Sequence, residues 1–235
     1  MTPLILLPGL MCDAGLWQKM LPQLEAAGPL IFGDLSQDSS IAEMATSVLA
    51  TCPERFTLVG FSMGGFVARE IARRVPHRVQ SLILIATSSA ADSAMQMKFK
   101  TSVAATLQQS SGAFRGLGHR AIQYSLSQKH EQDPEVIQHI LDMSLRMGRE
   151  AYIRQLLMER SSDSHLLSDI TCPTLVIAAA EDRMRSVAES QALCDGIPNA
   201  QLRIVEDSGH MLPLEQPQAL VLLLQEWLAA QHSNG

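Results

Sequence analysis

Short apolar runs of strand length recur along this chain of 235 residues and are separated by stretches with helical spacing. Several runs are rich in Ile and Val, and most are followed by Gly, Asp or Ser, as is typical of buried strands that end in turns. Runs that are apolar on both faces favour a parallel sheet with helices on both sides. The runs are Leu4–Leu7, Leu30–Phe32, Phe56–Val59, Leu82–Ala86, Leu175–Ala179 and Leu202–Val205, and the helical stretches among them are Ile41–Ala50, Gly64–Val75, Val187–Cys194 and Gln218–Ala230. The alternation predicts an α/β fold with about six parallel strands flanked by helices.

The alternation stops between Ala86 and Ile170, where only helical patterns occur. These patterns cover Met95–Gln109, Arg120–Ser127, Pro134–Met147 and Arg149–Arg160, with Pro134 at a helix start and Gly148 between two helices. Such a segment is too long for a loop in a compact domain. We therefore predict a core formed by 1–89 and 167–235, with a helical cap inserted at 90–166 over the carboxyl ends of the strands. Regular structure is expected to end before 231–235.

Charge and cysteine content exclude several classes of partner and site. The net charge of −6 argues against a nucleic-acid partner, because phosphate binding needs a concentrated basic surface. The four cysteines form no CxxC pair, so neither a zinc site nor a redox pair is predicted, and we expect no metal and no cofactor. The first apolar run is too short to span a membrane, so no membrane partner is expected and the cytoplasm is the default location. A small-molecule substrate is the expected partner, and a homodimer stays open as the assembly.

The stretch GFSMGG at 60–65 places Ser62 directly after one apolar run and directly before a helical stretch. A tight strand-to-helix turn holds such a serine in a strained conformation and exposes its hydroxyl. The small residues Gly60 and Gly64 avoid collision with the adjacent chain. The amino end of the helix and the free N–H of Met63 favour negative charge beside Ser62. Ser62 is therefore the candidate nucleophile.

A serine hydroxyl is a weak nucleophile at neutral pH and needs a base within hydrogen-bond reach. His210 follows the last apolar run and a glycine, and it precedes the terminal helical stretch. This position makes His210 the candidate base. The remaining histidines are interpreted as surface residues or as residues with ordinary partners: His77, His119, His130, His139, His165 and His232.

The acid that orients the histidine is expected after the fifth apolar run, where Glu181 and Asp182 both qualify. We favour Asp182 because it lies further beyond the strand, and its side chain must reach across to His210. It would fix the imidazole tautomer and stabilise the imidazolium. Asp207 is interpreted as a brace of its local turn, and Asp34 is a weaker rival.

A tetrahedral oxyanion needs hydrogen-bond donors, and two backbone groups are candidates. One is the N–H of Met63, and the other is the N–H of Leu10 in the turn PGLM at 8–11. Met11, Met184 and Met211 adjoin the same loops, and their flexible thioethers predict an apolar wall of the substrate pocket, with core filling as the alternative. Four aromatic residues of the predicted cap could line the pocket or pack the cap onto the sheet: Phe99, Phe114, Tyr124 and Tyr152.

The order Ser62, Asp182, His210 and its surroundings resemble the α/β-hydrolase superfamily from Leu4 to Trp227. The resemblance rests on LLPGL at 6–10, VGFSMGG at 59–65, CPTLVI at 172–177 leading into Glu181 and Asp182, and GHMLPLEQP at 209–217. Within the superfamily the chain is similar to small capped carboxylesterases and lactonases, such as enol-lactonases and acyl-carrier methyl-ester carboxylesterases. This resemblance implies a helical cap and the same three triad roles.

Two features depart from the pattern of the family. Relatives often have His-Gly where this chain has Pro8 and Gly9, which keeps the backbone donor but changes the residue that braces the loop. The chain also begins at the strand that is usually third. The sheet is therefore expected to be smaller than in larger relatives and to be all parallel.

The leading hypothesis is hydrolysis of a small carboxylic ester or lactone through an acyl-enzyme on Ser62, without a cofactor. A serine nucleophile excludes the haloalkane dehalogenase and epoxide hydrolase branches that the family also resembles, since those form their ester on an aspartate. The same triad could serve thioester hydrolysis, carbon–carbon bond hydrolysis or a lyase reaction. A non-catalytic small-molecule receptor is the alternative from another class, but such proteins commonly lose a triad member and none is lost here.

Overall fold

The computed structural model describes residues 2–233, and its strands form one parallel sheet in the order β2-β1-β3-β4-β5-β6. All five neighbouring pairs are parallel. The strands are β1 Leu4–Leu7, β2 Leu30–Phe32, β3 Phe56–Phe61, β4 Val79–Ile85, β5 Thr174–Ala179 and β6 Ala200–Val205. Each apolar run of the sequence falls on one of these strands. The predicted α/β fold class, with six parallel strands flanked by helices, is confirmed.

Helices connect the strands, and most begin and end close to the predicted positions. They are α1 Leu21–Ala27, α2 Ile41–Thr51, α3 Met63–Arg74, α4 Ala94–Gln109, α5 His119–Tyr124, α6 Pro134–Leu157, α7 Val187–Gly196, α8 Leu212–Glu215 and α9 Pro217–Ser233, with 3-10 helices at Ala14–Met20 and Ser164–Asp169. The first 3-10 helix and α1 were not predicted, because each is short and Pro22 interrupts the helical spacing between them. The expected irregular end is wrong for 231–233, which belong to α9, and 234–235 lie outside the described residues.

The two faces of the sheet pack against separate hydrophobic clusters, because side chains alternate along each strand. In β1, Leu4 and Leu6 belong to one cluster, and Ile5 and Leu7 belong to the other. The inner strands β1, β3, β4 and β5 are buried almost throughout, whereas the edge strands β2 and β6 are half-exposed. Burial on both faces is therefore limited to the inner strands, because an edge strand has a neighbouring strand on one side only.

Helices α4, α5 and α6 occupy the segment between β4 and β5 where the sequence alternation stops, and we call Ala94–Leu157 the inserted segment. Gly148 kinks α6 with a φ of 82°, a conformation that favours glycine. The kink lies at the predicted break between two helices. The second half of α6 ends at Leu157, three residues before the predicted end, because Met158 is already extended. The exact limits of a separate cap, 90 and 166, stay a prediction.

A buried ion cluster joins the chain just after the inserted segment to α3. The fully buried Arg69 donates to both carboxylate oxygens of Asp163 at 2.8 Å, and Arg73 donates to the same carboxylate at 3.0 Å. Burial alone would raise the pKa of Asp163. Hydrogen bonds and charge from Arg69, and then from Arg73, outweigh that effect and hold the pKa below its ordinary value. Asp163 is therefore a stabilising counter-ion in its charged form.

Replacing Asp163 with Asn is expected to lower the free energy of unfolding by about 3 kcal/mol, because Arg69 would remain buried without its counter-ion. A depressed folded-state pKa stabilises the fold above the unfolded pKa, and this stabilisation is lost as pH falls through the folded pKa. The variant should therefore lose less stability than wild type between about pH 5 and pH 2. Urea unfolding across that range measures both effects.

The matched control is Glu70→Gln, since Glu70 also pairs with arginines of α3 but is a quarter exposed. Its expected cost is about 1 kcal/mol or less, as for other surface ion pairs. Equal losses for the two variants would contradict the special position of Asp163.

Candidate active site

Ser62 lies on the turn between β3 and α3, with the strained backbone angles φ 50° and ψ −113°. Its N–H donates to the carbonyl of Ile85 at 2.9 Å, and its carbonyl accepts the hydroxyl of Thr87 at 2.7 Å. Both partners come from the end of β4 and the residues after it. A strained backbone of this kind persists only where the surroundings fix it, and such positions cluster at functional sites.

Close packing explains the glycines on either side of this serine. A Cβ added to Gly64 would lie 2.3 Å from the carbonyl oxygen of Leu7, and one added to Gly60 would lie 2.6 Å from the carbonyl oxygen of Gly64. Both distances are too short for any side chain. The turn that carries Ser62 therefore lies directly against the end of β1 and the loop that follows it.

His210 connects the serine to a carboxylate. Its Nε2 is 2.9 Å from the Oγ of Ser62, and its Nδ1 is 2.8 Å from the Oδ2 of Asp182. The imidazole is almost completely buried, and its ring lies 5.2 Å from that of Phe61. With Nδ1 donating to the carboxylate, Nε2 is left to accept the serine proton. The three predicted side chains form one continuous hydrogen-bonded chain.

Asp182 is held in place by its own loop. Its Oδ1 accepts the backbone N–H groups of Met184 at 2.8 Å and Arg185 at 2.9 Å, which leaves Oδ2 for His210. The carboxylate side chain is fully buried. A carboxylate fixed by two N–H donors is held rigidly, as the role of orienting a histidine requires.

The other carboxylates considered for this role point elsewhere. Glu181 accepts the N–H of Gln128 at 3.1 Å, and Asp34 accepts the N–H of Ser36 in its own turn at 2.9 Å. Asp207 is largely exposed, has a φ of 52°, and its carboxylate lies 4.0 Å from Lys129. None of the three forms a hydrogen bond with the imidazole.

Leu10 and Met63, the two predicted oxyanion donors, lie in the loop after β1 and at the start of α3. A Cβ added to Gly9 would lie 3.3 Å from the Cβ of Ser62, so the loop after β1 touches the serine. Met63 is the first residue of α3, where N–H groups have no intrahelical partner. Within residues 2–233, neither of these two N–H groups donates to a protein acceptor. Their role as donors to a negatively charged oxygen at Ser62 stays a prediction.

The loop of His210 depends on a residue that the sequence analysis did not single out. The fully buried carboxylate of Glu215 accepts the N–H of Gly209 at 3.1 Å and the N–H of Ser127 at 2.8 Å. It also lies 3.3 Å from the Nδ1 of His130. Glu215 thus joins the histidine loop to the inserted segment. Its only sequence signal was its position in the stretch at 209–217 that carries the family resemblance.

The three predicted pocket methionines differ in exposure. Met11 and Met211 are buried beside the loops of the site, whereas Met184 is 44% exposed.

Among the four aromatic candidates, Phe114 and Tyr152 pack against each other with ring centroids 6.2 Å apart. Tyr124 donates to the carbonyl of Arg183 and Phe99 is mostly exposed. Their part in a substrate pocket stays a prediction.

Other features of residues 2–233 do not define a rival site. No three His, Cys, Asp or Glu side chains in this part of the chain gather in a group able to hold a metal ion, and none of its helices is long and apolar enough to cross a membrane. Burial raises the pKa of the Cys12 thiol to about 12, so this cysteine beside the first loop is an inert thiol. Surface depressions of about 480 Å³ and 290 Å³ have no triad residue in their walls.

Comparison with known proteins agrees with this geometry. Residues 2–217 match the model of a family described as "alpha/beta hydrolase fold". The match covers most of the chain and includes Ser62, Asp182 and His210. The chain belongs to the α/β-hydrolase family.

Similar proteins of this family are named as esterases and hydrolases. The pimeloyl-[acyl-carrier protein] methyl ester esterase of Pectobacterium atrosepticum is 29% identical, in a match that covers 93% of this chain and 91% of that protein. The biotin biosynthesis bifunctional protein BioHC of Cellvibrio japonicus is 25% identical over 95% of this chain, but the chain spans only 47% of its length. A solved structure of a thermophilic esterase from Thermogutta terrifontis, with malate bound, is 26% identical. It has a TM-score of 0.89 and covers 99% of this chain and 91% of its own.

Asp182→Asn is expected to slow the reaction of Ser62 with a fluorophosphonate by about a thousandfold, because an amide no longer holds the histidine in the required tautomer. Mass spectrometry of the intact protein gives the labelling rate. Glu181→Gln is the matched control and should react within about twofold of wild type, since its carboxylate faces Gln128. If the two variants reacted at the same rate, Asp182 would not be the orienting acid.

Proposed function

We propose that this chain is a serine-dependent carboxylic ester hydrolase that acts on small esters or lactones through an acyl-enzyme intermediate. The observation that carries the proposal is the unbroken chain of hydrogen bonds from Ser62 through His210 to Asp182. Nucleophilic acyl transfer requires this arrangement, in which a base contacts the hydroxyl and a buried carboxylate orients the base.

In the first half-reaction the Oγ of Ser62 attacks the ester carbonyl while its proton passes to the Nε2 of His210. The carbonyl π electrons move to oxygen, and the N–H groups of Leu10 and Met63 donate to the resulting oxyanion. Collapse of the tetrahedral intermediate breaks the bond to the leaving alcohol oxygen, which takes the proton from His210. Asp182 stabilises the imidazolium during this exchange. The products are the alcohol and an ester of Ser62.

In the second half-reaction water replaces the alcohol. His210 accepts a proton from the water as its oxygen attacks the acyl carbon, and the same two N–H groups stabilise the second oxyanion. Collapse returns the proton to the Oγ of Ser62 and releases the carboxylic acid. With a lactone, the alcohol and the acid are two ends of one product. Apart from water and the substrate, these steps use only the residues named.

The substrate class is inferred from the neighbourhood of Ser62 and from the names of the relatives. Met11 and Met211 lie on loops of the site and offer flexible apolar surface to an acyl group. Relatives named for methyl ester and other ester hydrolysis support an ester over a peptide or a phosphate. We further propose that the inserted segment acts as the predicted cap and selects the acyl group. A cytoplasmic location stays a prediction.

Ser62→Ala is expected to lower kcat for p-nitrophenyl esters by at least about 10³-fold, because in the part of the chain that the structure describes the Nε2 of His210 has no other nucleophile as its hydrogen-bond partner. The measurement is turnover of a series of esters from acetate to decanoate. The dependence of the rate on acyl-chain length also indicates how long an acyl group the site accepts. Rapid acid quenching of wild type followed by mass spectrometry should show one acyl group on the peptide containing Ser62. An exposed serine of α4 provides the control, and Ser102→Ala should keep wild-type activity.

Full turnover by Ser62→Ala would refute nucleophilic catalysis at this residue. Absence of the acyl adduct together with elimination products would favour a lyase that uses Ser62 as a base. Tight ligand binding without turnover of esters, thioesters or diketones would favour a receptor.

A further inference from the structure

A glutamine of the inserted segment reaches the loop that carries Leu10. Gln155 lies in the second half of α6, and its side chain is completely buried although it is polar. Its Oε1 accepts the N–H of Met11 at 2.9 Å, and its Nε2 donates to the carbonyl of Leu35 at 3.0 Å. Both ends of the amide are therefore used, and both partners are backbone groups of the core that are distant in sequence.

The loop needs a partner of this kind because its backbone is strained and buried. Met11 has a φ of 56°, and only 1% of its surface is exposed. A buried N–H that lacks an acceptor costs about 1–3 kcal/mol, so this conformation depends on the oxygen of Gln155. The preceding Pro8 has no polar side chain and no N–H, and it cannot supply a brace from within the loop.

The geometry of the loop transmits this contact to the proposed oxyanion donor. The N–H of Leu10 and the carbonyl of Gly9 share one planar peptide, and that carbonyl accepts the N–H of Cys12 at 3.2 Å. The next peptide carries the N–H of Met11, which Gln155 holds. With both peptide planes fixed, the direction of the N–H of Leu10 is also fixed.

We propose that Gln155 is a positioning residue that holds the oxyanion hole in its catalytic geometry, an inference that rests on the proposed acyl-transfer function. Gln155 does not touch the substrate. It acts through the backbone of Met11 and thereby makes the docking of α6 a condition for full activity. The inserted segment is then part of the catalytic apparatus as well as a wall above the substrate.

The test is Gln155→Met, which keeps the length of the side chain and removes both hydrogen bonds. For p-nitrophenyl butyrate, kcat should fall about ten- to a hundredfold while KM changes by no more than about threefold. A trifluoromethyl ketone adds to the Oγ of Ser62, its carbonyl oxygen becomes an oxyanion, and the serine proton passes to His210. Its inhibition constant should rise by the same factor as kcat/KM falls.

The matched control is Arg154→Met, on the same helix. Arg154 holds the carbonyl of Ser36 through Nε at 3.0 Å and Nη2 at 2.8 Å, so it also ties α6 to the core but does not touch Met11. We expect its kcat and its inhibition constant to stay within about threefold of wild type. Equal effects for Arg154→Met and Gln155→Met would mean that Gln155 only attaches α6 to the core, and they would overturn the proposal. Wild-type values for a folded Gln155→Met would overturn it as well.

Amide hydrogen exchange of wild type gives a measurement that does not depend on any variant. The N–H of Met11 should exchange at least about a hundredfold more slowly than an open loop amide, because it is buried and bonded to Gln155. Exchange at the open-loop rate would refute the brace. If wild type neither hydrolyses esters nor forms the ketone adduct, the proposed function fails, and exchange at Met11 still decides whether the brace exists.

Discussion

The hydrogen bond between the Nδ1 of His210 and the Oδ2 of Asp182 joins two loops that leave neighbouring strands, and it depends on the register of β5 against β6. Ala179 pairs with Val205 at the end of the ladder. Pairing continues beyond the strands, since the N–H of Ala180 donates to Val205 and that of Glu181 donates to Ser208, both at 2.9 Å. Backbone hydrogen bonds therefore hold the two loops side by side for a few residues before they separate. A slip of one residue would reverse every side chain of β6 and remove the contact.

The sequence predicted the parts of this site that local signals define. A buried parallel strand that ends in a turn can be recognised within about ten residues, and Ser62 and Asp182 each follow such a strand. His210 follows the half-exposed edge strand β6 and was recognised by its position after the last apolar run and a glycine. Longer-range contacts leave no local signal. The choice of Asp182 over Glu181 depends on which carboxylate turns inward, and Gln155 and Glu215 are polar residues of helices that look solvent-exposed in sequence. Their burial becomes apparent only when helix and loop are brought together in space.

Buried charges lie beside both ends of the inserted segment. The carboxylate of Asp92, just before the segment, pairs with Lys100 of α4 and lies 3.5 Å from the Nε of Arg160, just after the segment. Burial, together with the charge of Arg160, lowers the pKa of Lys100 to about 8. Asp163, a few residues further along the chain, binds Arg69 of α3 and so ties this flank to the core. Separating such pairs would leave buried charges unpaired, so these contacts favour one docked position of the segment over alternatives.

Docking in one position matters because the inserted segment touches the catalytic loops at separate points. The carbonyl of Ser125 accepts the N–H of Met211 at 3.3 Å, the N–H of Ser127 binds Glu215, and Gln155 binds Met11. Two of these contacts reach the histidine loop, and the third reaches the loop of Leu10. Substitutions that break these contacts are therefore expected to displace the loops. The first turns of α4 carry no such contact and expose large apolar side chains, so sequence can change there without disturbing the chemistry.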